Sequence, residues 1–311
     1  MEQKKVTAPD IKERKKSGGK ITMLTAYDYP TALLVDRAGI DVILVGDSLG
    51  MVVLGYKDTV SVTMDEMIHH VKSVTSAVQR SLVLGDMPFG SYNASVEKAV
   101  ENANRMMKEA RADGIKLEGG KQMAHVAEAI VNAGIPVQGH IGLTPQTASS
   151  LGGFKVQGKS FEAAVALIED AKALEDAGCF SIVLEAIPSP IAKMVTEAIS
   201  IPTIGIGAGI DCDGQVLVIH DLIGLFERFT PKFVKQYAKI SDIILSAVSQ
   251  YKSDVENMRF PEEKHSFSMN PKELEKLKSK KKIRAERRDE GTRREAMGAR
   301  YEKNALRRSQ T

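Results

Sequence analysis

A single (β/α)8 TIM barrel, with a short N-terminal helix and a basic C-terminal extension, is the α/β fold that this sequence predicts. Three observations lead there. Eight short apolar runs recur before residue 270, each closed by a polar or glycine turn. Helix-period stretches separate them, and such alternation argues for parallel βαβ units. Eight units in roughly 250 residues match the size of a closed barrel. An open doubly wound sheet usually needs fewer strands, and the glycine fingerprint expected after its first strand is missing.

The elements follow in order. The strand candidates are 21–28 (ITMLTAYD), 41–48 (DVILVGDS), 81–88 (SLVLGDMP) and 114–120 (GIKLEGG). Four more are 135–142 (IPVQGHIG), 180–188 (FSIVLEAIP), 201–209 (IPTIGIGAG) and 214–224 (GQVLVIHDLIG). Between them lie helical patterns at 63–80, 95–112 and 160–178. Thr63 and Ser160 have side chains suited to N-caps, and Gly178 suits a helix stop.

Composition narrows the function classes. The chain has 311 residues, 43% of them apolar, an ordinary share for a globular protein. No run of about eighteen apolar residues occurs, so no membrane span is expected. The N-terminal stretch lacks the apolar core of a secretory signal. Two distant cysteines, Cys179 and Cys212, suggest a reducing compartment without disulfides. Trp is absent, which argues against a surface that stacks nucleic-acid bases.

Charge is unevenly spread. Residues 270–311 carry 15 Lys+Arg against 7 Asp+Glu, so residues 1–269 are acidic by 5 although the whole chain is +3. The tail has few large apolar residues and cannot build a core. The expected organisation is therefore a catalytic barrel over 1–269 and a flexible or partly helical extension over 270–311. A nucleic-acid or partner contact is the minority reading of the tail.

Barrel active sites lie at the C-terminal ends of the strands. Those ends carry Asp28, Asp47, Asp86, Glu118, His140, Glu185 and Asp221. Strand parity puts Lys116 and Glu118 on one face, and Glu185 on the face of Val183 and Ser181. Asp47, Asp86 and Glu118 end three consecutive strands, about 4.8 Å apart. Three such carboxylates repel unless a cation sits among them. Oxygen donors favour a hard ion such as Mg2+ over Zn2+. Structural alternatives stand beside this: Asp47 as a cap of the next turn, Asp86 before a proline turn, Glu118 paired with Lys116.

The stretches MLTAYDYPTA, VGDSLGMVVLGY, TVSVTMDEMIHH, GDMPFGSY, GIKLEGG, PVQGHIGLTPQ, LGGFKVQGK, VLEAIP, TIGIGAG and CDGQVLVIHDLIGL occur in this order. Together they closely resemble the ketopantoate hydroxymethyltransferase family, from about Thr7 to Phe267. The tail beyond Phe267 departs from the family pattern. The resemblance implies a cytoplasmic barrel enzyme that uses Mg2+ and methylene-tetrahydrofolate. It implies transfer of a hydroxymethyl group to 3-methyl-2-oxobutanoate through a Mg-stabilised enolate, giving ketopantoate for pantothenate and coenzyme A synthesis. It further implies a homo-oligomer, a decamer. Asp47, Asp86 and Glu118 match the family's metal-associated carboxylates. Asp47, Ser48, Asp86 and Lys116 match oxoacid contacts, Glu185 the catalytic base, and His140 a supporting position.

The loop 144–160 reads equally as a folate-contacting lid or as a plain connection. A related carbon–carbon lyase barrel would be expected to place a cysteine in a mouth loop, and neither cysteine ends a strand. A catalytically silent scaffold with a nucleic-acid-binding tail would require loss of the strand-end carboxylates, all of which are present.

Overall fold

The computed structural model describes residues 4–150, 152–282, 284 and 288–289. Eight parallel strands close into a barrel in chain order: β1 Ile21–Thr25, β2 Val42–Val45, β3 Leu82–Asp86, β4 Gly114–Lys116, β5 Val137–Gly142, β6 Ser181–Glu185, β7 Thr203–Ile206 and β8 Gly214–Leu217. Pairing of β1 with β8 rules out the open sheet. Each strand is shorter than the apolar run that announced it, because the runs extend into the connecting loops at one or both ends.

Among the described residues the strands are accompanied by α1 Ala8–Ser17, α2 Tyr29–Arg37, α3 Leu49–Val52, α4 Met64–Thr75, α5 Val96–Lys108, α6 Ala124–Asn132, α7 Phe161–Asp176, α8 Ser189–Ala198, α9 Ile219–Leu222 and α10 Ile240–Glu256. Thr63 and Ser160 are N-caps, as their side chains predict; Thr63 forms a full capping box with Glu66. Gly178 follows α7 at φ +89, where a Cβ would come within 2.9 Å of Val131. Glycine ends that helix because only glycine fits both the backbone and the space.

Parity divides the strands. Ile43, Val45, Val83, Ile115, Ile182 and Leu184 pack outward against the helices. Ile21, Met23, Val42, Leu44, Leu82, Leu84, Val183, Ile204 and Val216 fill the interior. Gly214 is small for a packing reason: a Cβ there would lie 2.6 Å from the Ile21 carbonyl oxygen and 2.7 Å from Ile204. Helix α1 seals the N-terminal end by placing Ile11 into the same interior cluster. It is held there by Lys5 Nζ donating to the Ser81 carbonyl at 2.8 Å and by Arg14 on Asp41 at 3.1 Å. One end of the barrel is thereby plugged with apolar side chains. The charged interior positions lie at the other end, while Gln138 and Ser181 pair with each other at 2.8 Å within the barrel.

The chain divides into two compact units, Met1–Ile243 and Ile244–Thr311. The second contains most of α10 and a helix over 271–282 whose side chains are exposed. Of the expected extension 270–311, residues 283, 285–287 and 290–311 lie outside the described residues. No helix among the described residues is long and apolar enough to cross a membrane.

Candidate active site

The interior positions change character at the C-terminal strand ends. The register sets Asp86 of β3 beside Lys116 of β4. Lys116 Nζ donates to both Asp86 carboxylate oxygens at 2.7 Å, with both side chains buried. Lys116 also lies 4.0 Å from Glu118 Oε1. His140 ends up between two acids, with Nδ1 3.4 Å from Glu118 and Nε2 3.3 Å from Glu185. These are ion-pair distances without hydrogen-bond alignment.

Helix capping accounts for Asp28 but not for Asp47 or Glu185. Asp47 does not cap α3, whose N-cap is Ser48 with no side-chain cap bond. Its carboxylate accepts from Gln146 Nε2 at 2.9 Å, and its backbone N–H donates to Asp86 at 3.3 Å. Glu185 does not cap α8, which begins after Pro188 without a side-chain cap. Asp28 is a different case. It caps α2 by accepting from the Thr31 N–H at 2.8 Å and stands apart from the cluster. An aspartate after a strand is as suited to starting a helix as to serving a site, and spacing alone does not separate the two roles.

Burial shapes the charges. It drives Asp47 well above the usual carboxyl range, and the nearby charges of Asp86 and Glu118 add to the effect. Asp86 is also raised by burial, which Lys116 only partly offsets. Burial opposes charge on Glu118 too, but His140, Lys116 and the Gln146 amide outweigh it and hold its carboxyl low. Burial likewise opposes charge on His140, yet Glu118 and Glu185 lift its imidazolium to about 9. Lys116 stays cationic because Asp86, Glu118 and Asp47 outweigh its desolvation. Cys179 is buried and its thiol is pushed up to about 12, while Cys212 is buried and shifted the same way. Neither is a poised nucleophile.

Sequence reasoning missed the brace behind this cluster. Gln146 is buried in the loop after β5. Its backbone N–H donates to Glu118 at 3.0 Å, and its side-chain amide donates to Asp47 and to the Met87 carbonyl, each at 2.9 Å. Tyr92 donates its hydroxyl to Gln146 Oε1 at 2.7 Å. Asp47 and Gln146 are 99 positions apart, so no spacing rule connects them. Gln146→Ala removes the amide that serves Asp47 and the Met87 carbonyl, at about 1–3 kcal/mol for each buried group left unmet, while Tyr92 keeps the Glu118 carbonyl at 3.2 Å. A lower melting temperature together with a raised KM for the acid substrate is the expected result. Parent-like values of both would show that Gln146 positions nothing.

The cluster floors a cavity of about 650 Å³. Its upper walls are apolar, with Met51, Val52, Phe154, Phe226, Phe229 and Phe233 among them. The loop 144–160 contributes Phe154, Lys155 and Val156, and the Gln157 N–H ties it to the Ala186 carbonyl at 3.0 Å. Leu151, within that loop, lies outside the described residues. Ala186, next to Glu185, adopts φ +47, a left-handed conformation uncommon for a non-glycine residue and frequent near functional groups.

The sequence profile described as ketopantoate hydroxymethyltransferase matches residues 5–263. The chain belongs to the ketopantoate hydroxymethyltransferase family. The 3-methyl-2-oxobutanoate hydroxymethyltransferase of Carboxydothermus hydrogenoformans is 57% identical over 273 residues, covering 88% of this chain and 99% of that protein. The protein of the same name from Syntrophobacter fumaroxidans is 59% identical over 273 residues, covering 88% and 96%. Among solved structures, a phosphonopyruvate hydrolase complex with oxalate and Mg++ superposes with a TM-score of 0.55 at 12% identity, over 90% of this chain and 97% of that one. That likeness concerns the fold alone.

In this member of the ketopantoate hydroxymethyltransferase family the donor set suits a hard divalent ion. Four carboxyls, of Asp47, Asp86, Glu118 and Glu185, face only two cationic side chains, Lys116 and His140. Burial is the main cause of the rise at Asp47 and Asp86, and the neighbouring carboxylates add to it. Among the described residues no three His, Cys, Asp or Glu side chains converge closely enough to form a cage. Mg2+ does not require one, since it is commonly held by one or two carboxylates with water and substrate completing the shell.

Proposed function

We propose that the chain transfers a hydroxymethyl group from methylene-tetrahydrofolate to 3-methyl-2-oxobutanoate, giving ketopantoate for pantothenate synthesis. The observation that carries this reading is the buried Asp47–Asp86–Lys116–Glu118 cluster, with Glu185 across from it, inside a chain of this family. Asp47 and Asp86 would hold Mg2+, with Glu118 as the associated third carboxylate. When bound, the ion supplies positive charge beside the keto and carboxylate oxygens of the acid.

The remaining work falls to the chain. Lys116, anchored on Asp86, neutralises the substrate's negative charge as it develops during proton loss. Ser48 Oγ shares a hydrogen bond of 2.8 Å with Tyr27 and orients the acid. Glu185 ends β6 with its side chain 16% exposed, open to the cavity. It takes the C3 proton, the step that makes C3 a nucleophile toward the one-carbon unit. His140 supports both acids: its imidazolium holds Glu118 on one side and Glu185 on the other. The apolar upper walls exclude water from the reacting carbon.

The test is direct. Purified chain, Mg2+, methylene-tetrahydrofolate and the oxoacid should yield ketopantoate and tetrahydrofolate in equal amounts; absence of product overturns the reading. Exhaustive chelation should abolish turnover and Mg2+ should restore it. Asp47→Asn and Asp86→Asn should each raise the Mg2+ concentration needed for half-maximal rate. Full turnover after chelation would remove the ion from the account.

We further assign the chain to the cytoplasm as a homo-oligomer. Its free cysteines support the first assignment. Exposed Ile244, Leu245, Val248 and Val255 on α10 support the second, since apolar side chains on one helix favour a covered face. Residues 270–311 form an extension dispensable for catalysis. Its described part is exposed throughout and buries no apolar residue. A chain ending at Met269 should keep the parent's melting temperature, assembly state and turnover. Loss of any of these would make the extension structural.

A further inference from the structure

The upper half of the cavity contains one carboxylate that the mechanism does not use. Asp221 lies in α9, directly after β8, and lines the cavity. It is only 8% exposed, and its carboxylate, which keeps some contact with the solvent of the cavity, has no hydrogen-bond or ion-pair partner among the described residues. Burial without a partner pushes it up to about 6. Its neighbour His220 does not compensate it. Burial holds that imidazole below its usual value, and the ring lies against Tyr27 at 5.4 Å between centroids. A buried carboxylate without a donor is costly, and a ligand that brings the donor removes the cost.

The cavity around Asp221 describes that ligand. At about 650 Å³ it falls in the range of about 300–1,000 Å³ that holds drug-sized molecules, so a small branched oxoacid leaves much of it free. Its upper walls are largely apolar, which suits the faces of a planar heterocycle. Phe233 is one of them, and Gly207 admits its ring: a Cβ there would come within 2.7 Å. At the rim stand the exposed cations Lys155 and Lys232. The matching molecule has a planar head with paired N–H donors and an anionic tail.

We propose that Asp221 binds the aminopyrimidine edge of the one-carbon donor, accepting two parallel N–H bonds from its N–C–NH2 unit. This rests on the reading that the donor is a folate, whose pterin head carries that edge and whose glutamate carries the anionic tail. The arrangement parallels the bidentate pairing of a carboxylate with a guanidinium. Asp221 is thus a specificity residue for the donor, separate from the residues that hold the acid.

Calorimetric titration of the full chain under argon tests this, with tetrahydrofolate and its 2-desamino analogue as probes. The parent should bind tetrahydrofolate, and Asp221→Ala should weaken it about 10- to 100-fold. Oxoacid binding should be unchanged, which also shows that the variant is folded. In the parent the 2-desamino analogue should lose a similar factor, and Asp221→Ala should no longer distinguish the two ligands. Equal tetrahydrofolate affinity in parent and folded variant overturns the proposal. So does a parent that binds both ligands alike, a comparison that needs no variant. A parent that makes ketopantoate but never binds tetrahydrofolate overturns the folate reading itself, and the role of Asp221 with it.

Discussion

Glu185→Gln is expected to lower turnover by about 10²–10⁴-fold, the usual worth of a positioned general base. The change keeps size and shape and removes basicity, so the oxoacid and Mg2+ should bind much as they do to the parent. Deuterium exchange at C3 isolates the step. In deuterated water, with Mg2+ and the oxoacid but no folate, the parent should exchange that hydrogen and the variant should not. Because Glu185 lies 3.3 Å from His140, exchange retained in Glu185→Gln but lost in His140→Gln would transfer the base role to His140. Exchange and turnover unimpaired in Glu185→Gln would remove Glu185 from the proton transfer.

Lys116→Met is expected to have the second large effect, and on stability as well as on binding. Methionine nearly matches the length of lysine but carries no charge. Lys116 holds both oxygens of Asp86 at 2.7 Å with Asp47 and Glu118 close by. Removing the cation leaves buried carboxylates facing one another, and breaking a buried pair from one side costs about 3–5 kcal/mol. For a unit of this size the melting temperature should fall by on the order of 10 °C. Oxoacid binding should weaken in parallel, because the substrate's charge loses its counterpart. A variant that melts like the parent would show that the acids take up protons at no cost and that Lys116 does not hold the cluster together.

The barrel was legible because its signal is local and repeated. Each apolar run and each helix period can be read within a dozen residues, and eight repeats leave few architectures. Strand parity carried the reading further. It put Lys116 and Glu118 on one face, and Glu185 with Val183, before any neighbour was known. Two kinds of information were not local. Asp28 and Asp47 look alike in sequence, each an acid at the end of an apolar run, yet Asp28 caps α2 and Asp47 faces the cluster. The Gln146 brace is the other kind: a glutamine in a loop acquires its role only when β2 and the loop after β5 meet across the barrel.

The sequence by itself determined the fold, the family and the polar strand ends, because periodicity and ordered motifs are properties of neighbouring residues. Only the tertiary structure decided which acids meet, which of them Lys116 and His140 compensate, and that Asp221 is buried without a partner. Those depend on distances and on desolvation across strands far apart in the chain. A charge pays its burial cost in three dimensions, and no one-dimensional spacing records it.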